Sequence, residues 1–311
     1  MPEYAAHLEI EPKVYLIRGL NKSRFPEANS ILIDDEILTL IDAGSDKGQI
    51  ESTLRSLGHE LNELDRIVLT HFHIDHKGHA EFLRETSECE VLCHPLSDHG
   101  IETFRGMAEY YGISTHPRFS IWKSRIESWL PHVTGDYIIT GHYTDRKPIS
   151  CGEVEITPVH LPGHTVDHTC FGINGLQTIF LVDIDLTRFG PWYGNEVSDI
   201  RDFEKSIRTV IDIGPKVGIS SHLLEPVVDN LNERLTAYLM SFEEREKRVL
   251  VNIAAGYDTI EKLANAPTIY PRIPDEVFLL FEEFMLRKHI DLLEKEGKLN
   301  ENEGRFSIER K

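Results

Sequence analysis

The run Thr70-His71-Phe72-His73-Ile74-Asp75-His76 sets three imidazoles and a carboxylate within six positions, directly after the apolar, β-branched stretch Ile67-Val68-Leu69. A short apolar run of this kind reads as a buried strand. The chain must therefore end a core strand where several polar groups can be gathered, as layered α/β proteins do at their strand ends. His71 and His73 are two residues apart, so an extended backbone aims both rings to one side. A turn after them brings Asp75 and His76 towards the same point. A mixed imidazole and carboxylate set suits a borderline divalent ion, zinc first, with iron or manganese as alternatives.

The surrounding pattern agrees with such a fold. Strands are expected at Val14 to Arg18, at Ser30 to Ile33 and Ile37 to Ile41 as a hairpin around Asp34-Asp35-Glu36, at Val91 to Cys93, Tyr137 to Ile139, Glu153 to Val159, Thr169 to Ile173, Thr178 to Val182 and Val217 to Ile219. Helices are expected at Lys47 to Leu57, closed by Gly58, at Gly78 to Glu85 and at Asp199 to Ile213. Residues 96–134 interleave aromatics with charges at helical spacing and read as a helical insertion over the cleft, its aromatics mainly packing it onto the body. From Pro226 the pattern is helical, at Asn230 to Asn252, Thr259 to Ala264 and Asp275 to Gly297, with a terminal strand near Gly304 to Ile308. The division expected is a catalytic unit, 1–225, and a small helical unit, 226–311.

Composition narrows the class. With 311 residues, 40% of them hydrophobic and 27% charged, the chain can bury a proper core. Acidic residues outnumber basic ones 52 to 33, for a formal net charge of −19. That field repels polyanions, and no Lys/Arg stripe reverses it, which disfavours nucleic acid and favours a small-molecule substrate. No run approaches the ~18 apolar residues of a membrane span. The stretch from Met1 to Lys13 carries Glu3, Glu9 and Glu11 without an apolar core, so no signal peptide is expected and the cytoplasm is the default location. Cys89, Cys93, Cys151 and Cys170 contain no C-x-x-C pair and read as reduced, buried thiols.

Two ions need more ligands than the first cluster supplies. His164 in Leu161-Pro162-Gly163-His164-Thr165, Asp183 after the strand Thr178 to Val182, and His222 in Ser220-Ser221-His222 all stand at or beyond strand ends. This ordered set resembles the metallo-β-lactamase superfamily over residues 13–225. The resemblance implies a four-layer αβ/βα sandwich with a dinuclear site at one edge of two facing sheets. It implies one divalent ion on His71, His73 and His164, a second on Asp75, His76 and His222, and Asp183 bridging them. Asp42, in Ile41-Asp42-Ala43-Gly44, matches the family's first motif and would orient a ligand from behind. His79 and His168 are expected behind the ligands in the same way. The family usually places Gly before the bridging carboxylate, whereas Val182 stands here, and Asp185 two residues on is a rival for the bridge. The C-terminal segment resembles the small winged-helix-like appendage of some members, which would serve dimerisation or cap the sandwich.

The chemistry implied is hydrolysis of a small ester, thioester or lactone by water activated between two ions, with Asp75 or Asp183 taking its proton. No G-x-S-x-G elbow and no Cys beside a base point to covalent catalysis. Tyr193, in the Gly/Pro-rich loop beyond Asp183, is a candidate donor to a substrate oxyanion, with packing under that loop as the equal alternative. The alternatives on the same fold are a phosphodiesterase or RNA nuclease, a one-iron sulfur dioxygenase, and a non-catalytic metal-binding protein. A diiron oxygen reductase would carry Glu where His73 stands, and a flavin domain.

Overall fold

The computed structural model describes residues 4–309; the ends of the two expected units, 1–3 and 310–311, lie outside that range. Seven strands form one sheet in sequence order: β1 (His7–Glu11), β2 (Val14–Ile17), β3 (Ser30–Ile33), β4 (Thr39–Ile41), β5 (Arg66–Val68), β6 (Glu90–Cys93) and β7 (Gly141–His142). Six more form the second: β8 (Ile149–Ser150), β9 (Glu155–His160), β10 (Thr169–Ile173), β11 (Thr178–Val182), β12 (Val217–Ser220) and β13 (Val227–Val228). A hairpin of β14 (Leu299–Asn302) and β15 (Arg305–Ile308) stands apart.

Period-two alternation sorts the strand side chains into layers. Val14, Leu16, Ile31, Ile33, Ile41 and Val68 of the first sheet meet Phe171, Ile173, Phe180, Val182 and Ile219 of the second in a core between the sheets. Their sequence neighbours face outward. Leu32, Leu40 and Ile67 pack under helix Lys47–Ser56, helix Ala80–Ser87 and the insertion. Cys170, Ile179 and Leu181 pack under helix Ile200–Ile213 and the C-terminal helices Leu231–Ala254 and Glu276–Lys295. The result is the expected αβ/βα sandwich, with a helical C-terminal segment laid across it. Helix Glu276–Lys295 straps both outer cores, since Val277, Leu280 and Phe281 join the first and Met285, Leu286, Ile290 and Leu293 the second.

The insertion is helical, as Asp98–Glu102, Phe104–Tyr110 and Phe119–Trp129, and buries Trp122 completely. Three local expectations are corrected. Tyr137 to Ile139 is not a strand; Thr140 N–H and Tyr143 N–H bond the first sheet, and only Gly141–His142 pairs regularly. The helix expected from Gly78 to Glu85 starts two residues later, as Ala80–Ser87, and a separate short helix, Ile74–Lys77, precedes it and ends at Gly78. Strands β1, β8, β13 and β14 add to the expected set, being too short or too polar to show an apolar alternation. Among the described residues no helix is long and apolar enough to cross a membrane.

Strand direction collects the site. β4 to β7 run parallel, as do β11 and β12, so the segments leaving β4, β5, β11 and β12 emerge at one edge. Backbone bonds lock the sheets there: Thr169 N–H donates to Thr70 O (3.1 Å), and Asn29 N–H to Ser221 O (2.8 Å). Gly44 admits the first loop, because a Cβ built on it would stand 1.4 Å from the Asp75 carbonyl oxygen. Gly163 does the same for the loop before His164: its φ is +130°, and a Cβ would fall 2.2 Å from the Phe203 backbone. Backbone contacts of this kind cannot be relieved by a rotamer change. Gly44→Ala is expected to destabilise the metal-free protein by about 3 kcal/mol or more, read as a lower urea midpoint at unchanged slope. An unaltered midpoint would show that the loop is not held this closely.

Candidate metal centre

The seven proposed ligands come from four loops at this edge. His71, His73, Asp75 and His76 follow β5, His164 lies between β9 and β10, Asp183 directly follows β11, and His222 follows β12. The ligand atoms of His71, His73, His164 and Asp183 all lie within 4.8 Å of one another, and so do those of Asp75, His76 and His222. The Asp183 carboxylate stands between the groups. Its Oδ2 is 3.1 Å from His164 Nε2, and its Oδ1 is 3.0 Å from His76 Nε2 and 3.5 Å from His222 Nε2.

The far side of each ring is held, which decides which nitrogen faces inward. His164 Nδ1 donates to Trp192 O (2.9 Å) and His222 Nδ1 to Ser23 O (2.8 Å). His76 Nδ1 donates to Asp42 Oδ2 (2.7 Å). Asp42 also accepts from Thr70 N–H (2.9 Å) and from the Thr70 hydroxyl (2.8 Å). With its proton spent on Asp42, the Thr70 hydroxyl can only accept from His71 Nδ1, 3.0 Å away. His71, His76, His164 and His222 therefore all present an unprotonated Nε2 to the centre when neutral.

That arrangement fits metal ions and is poorly served without them. His73 Nδ1 lies 3.0 Å from His71 Nε2 and 2.9 Å from His164 Nε2, so at most one proton stands among three converging nitrogens. His76 Nε2 and Asp183 Oδ1 are buried and make no aligned hydrogen bond. Burial, reinforced by neighbouring imidazoles, holds His71 and His73 well below the usual histidine range, and burial lowers His164, leaving these rings as neutral donors. At His76 and His222 burial acts the same way but is outweighed by Asp183, helped by Asp42 and Asp75 respectively. His76 rises well above its ordinary value and His222 to about 9. The second group thus balances buried carboxylates with protons, which a divalent cation would replace.

Other residues sort by contact. His168 donates from Nδ1 to Leu161 O (2.8 Å) and accepts Asp183 N–H at Nε2 (3.1 Å), fixing the backbone of Asp183 rather than facing an ion. Val182 takes a left-handed φ of 55°, which explains why glycine is usual before this carboxylate; here a buried β-branched residue bears the strain. Asp185 accepts from Tyr238 OH (2.9 Å) and Thr187 N–H (3.0 Å), and burial raises it to about 6. Two expectations are corrected. His79 stacks on His132, with ring centroids 4.7 Å apart, and touches no ligand. Tyr193 is buried away from the cavity, its hydroxyl against His289 Nε2 (2.7 Å) and Arg245 Nη1 (3.2 Å). Arg245, also buried, donates to the carbonyls of Pro191 and Phe189 and so holds the loop whose Trp192 carbonyl orients His164.

The centre opens on a cavity of about 850 Å³, lined among others by His73, Asp75, His164, Asp183, Tyr111 and Trp192. Tyr111, from the insertion, stacks on His73 at 5.1 Å between ring centroids. Sequence reasoning missed it, as it missed Thr70, the carbonyls of Ser23 and Trp192, and Asn195, whose amide Nδ2 lies 3.3 Å from His73 Nε2 and donates to His164 O (3.1 Å). Only Thr70, inside the cluster itself, carried any signal.

The family model described as metallo-beta-lactamase superfamily matches residues 24–219. Two relatives are called atrochrysone carboxyl ACP thioesterase: one from Pseudocercospora fijiensis is 24% identical over 82% of this chain, and one from Aspergillus fumigatus is 24% identical over 76%. The matches span 65% and 66% of those relatives' lengths. A beta-lactamase-like protein 2 homolog of Drosophila melanogaster is 23% identical over 84% of this chain and 79% of its own. Among solved structures, a metallo-beta-lactamase family protein from Thermus thermophilus superposes with a TM-score of 0.76 at 19% identity, over 97% of this chain and all of that one. By the family model, which covers well over half of its length, this chain belongs to the metallo-beta-lactamase superfamily.

Proposed function

We propose that the chain is a metal-dependent hydrolase of an activated acyl bond, in a thioester, ester or lactone. The observation that carries this is the convergence of seven candidate ligand groups, six of them buried and His222 half-buried, on two adjacent points with the Asp183 carboxylate between them, beside a cavity large enough for a drug-sized molecule. The thioesterase names of two relatives agree with it.

In this reading His71, His73 and His164 would hold one divalent ion, Asp75, His76 and His222 would hold the second, and Asp183 would contribute to both. The imidazole-rich set favours zinc, with iron or manganese as the other ions it would accept. Bound divalent ions lower the pKa of water towards neutrality and polarise a carbonyl, which is the chemistry such a pair supplies. Asp75 and Asp183 line the cavity and are the carboxylates placed to take a proton from an attacking water. Tyr111, not Tyr193, is the cavity tyrosine that packs on a proposed ligand, His73. Burial, with the charges of Asp75 and Asp183, raises its phenol well above the ordinary value, so it stays protonated and able to donate to a substrate carbonyl. Tyr111 and Trp192 pack on the His73 ring and hold it at the cavity wall.

Chelation is expected to abolish hydrolysis across a panel of thioester, ester, lactone and phosphodiester substrates, and zinc to restore it on an acyl substrate. Activity that survives chelation, or restored activity confined to the phosphodiester, would overturn the proposal. Tyr111→Phe is expected to lower kcat/KM by about tenfold or more through loss of a donor to the carbonyl, with metal content by elemental analysis unaltered. A wild-type rate in this variant would remove Tyr111 from the mechanism.

A further inference from the structure

The cavity has two unlike parts, and both are anchored to ligand residues. The inner part is aromatic. His73 carries Tyr111 stacked on one side and Trp192 edge-on at 5.4 Å. Trp192 continues to Phe281 at 5.3 Å, and its indole N–H is fixed by the Tyr270 hydroxyl at 2.9 Å. Phe278 and Phe281, 6.1 Å apart, extend the wall along the C-terminal helix. An apolar surface thus runs unbroken from a metal ligand into a segment outside the residues of the family match.

The outer part is cationic, on a chain whose net charge is −19. Lys22, Arg24 and Arg188 line the cavity, are exposed, and form no ion pair among the described residues. Lys22 and Arg24 flank Ser23, whose carbonyl holds His222. Arg188 lies in the loop between Asp183 and Trp192. Both positions are therefore tied to the centre by the bonds that orient its ligands. Arg234 also lines the cavity and donates to Leu186 O (2.8 Å). The other carboxylates on the cavity are engaged: Asp185 with Tyr238, and Glu225 accepting from the Tyr4 hydroxyl (3.0 Å).

Building on the hydrolytic reading, we propose that the substrate is a thioester with a flat, aromatic acyl group and a phosphate-bearing thiol arm. The acyl group lies against Trp192, Tyr111 and Phe281, and the arm's phosphates meet Lys22, Arg24 and Arg188. Three cations without an ion pair among the described residues suit a multiply charged phosphate arm better than a single carboxylate, and guanidinium groups pair with phosphate through parallel hydrogen bonds. The aromatic wall is far larger than an acetyl group needs, and its burial rewards a ring. The reaction breaks the acyl carbon–sulfur bond. The oxygen of water becomes bonded to the acyl carbon, and the products are a carboxylate, a thiol and one released proton. Coenzyme A and a carrier protein are two sources of a phosphopantetheine arm, the first with several phosphate charges and the second with one phosphodiester.

The test compares kcat/KM of the zinc-loaded full chain on four thioesters: benzoyl-coenzyme A, acetyl-coenzyme A, benzoyl-N-acetylcysteamine, which lacks phosphate, and a benzoyl carrier protein. Benzoyl-coenzyme A or the benzoyl carrier protein is expected to exceed the neutral-arm thioester by about tenfold at low ionic strength, with the advantage shrinking as salt is added. Whichever of the two is faster assigns the source. Benzoyl-coenzyme A should exceed acetyl-coenzyme A by about tenfold. In the Lys22→Ser/Arg24→Ser/Arg188→Ser variant the ratio of charged-arm to neutral-arm kcat/KM should fall towards one. The salt dependence of the wild-type chain tests the same point without a variant. Equal, salt-insensitive rates on charged and neutral arms would overturn the phosphate assignment, and equal rates on benzoyl and acetyl would overturn the aromatic one. Hydrolysis of an ester or lactone but of no thioester would overturn this proposal and leave the hydrolytic reading standing. No turnover of any acyl substrate would overturn that reading itself.

Discussion

The Asp42 carboxylate is the fixed point from which the centre is built. Fully buried at the end of β4, it accepts two bonds from Thr70 and one from His76 Nδ1. Its own N–H is bonded to Val68 O (2.9 Å), which ties it to the strand that delivers the histidines. Through the Thr70 hydroxyl it decides which nitrogen of His71 is free, and it does the same directly for His76. One buried anion thus orients a proposed ligand in each group. The close approach of Gly44 to the Asp75 peptide presses the same loop into place. A carboxylate so deep is costly without partners, and each partner here either carries a ligand or precedes one in the chain.

The other half of the centre depends on the C-terminal segment. His164 takes its orientation from the Trp192 carbonyl, and the loop bearing Trp192 is held by Arg245 from helix Leu231–Ala254. Helix Glu276–Lys295 packs into both outer cores and supplies Phe278 and Phe281 to the cavity. The segment beyond Pro226, which the sequence suggests as an appendage, is therefore a wall of the cavity and a brace for one ligand.

How much of this could be read in the chain follows from what each residue does. The ligands crowd in sequence because a strand end and one turn must present four of them, and crowding of His and Asp is visible without a structure. The two-sheet core was legible because its strands are short, near-continuous apolar runs buried on both faces, while β1, β8, β13 and β14 were not, being short or polar. Orientation was hidden wherever a backbone carbonyl supplies it, since Ser23 and Trp192 act through atoms every residue has. Tyr111 and Tyr193 show the same limit for aromatics. Both lie in aromatic-rich segments, and only packing reveals that Tyr111 faces His73 while Tyr193 is buried against His289 and Arg245. Val182 is instructive in the opposite way: its departure from the family pattern marks a left-handed position that the sequence alone could not explain.

The central claim is that Asp183 joins two metal-binding groups into one centre, and it is tested most directly by counting ions. Elemental analysis of the wild-type chain after zinc loading and desalting is expected to give about two ions per chain, as a two-metal site requires, and Asp183→Ala to retain one at most. Asp185→Ala, whose carboxylate is bonded to Tyr238, should keep both. Two ions retained in Asp183→Ala, or lost in Asp185→Ala instead, would contradict the account.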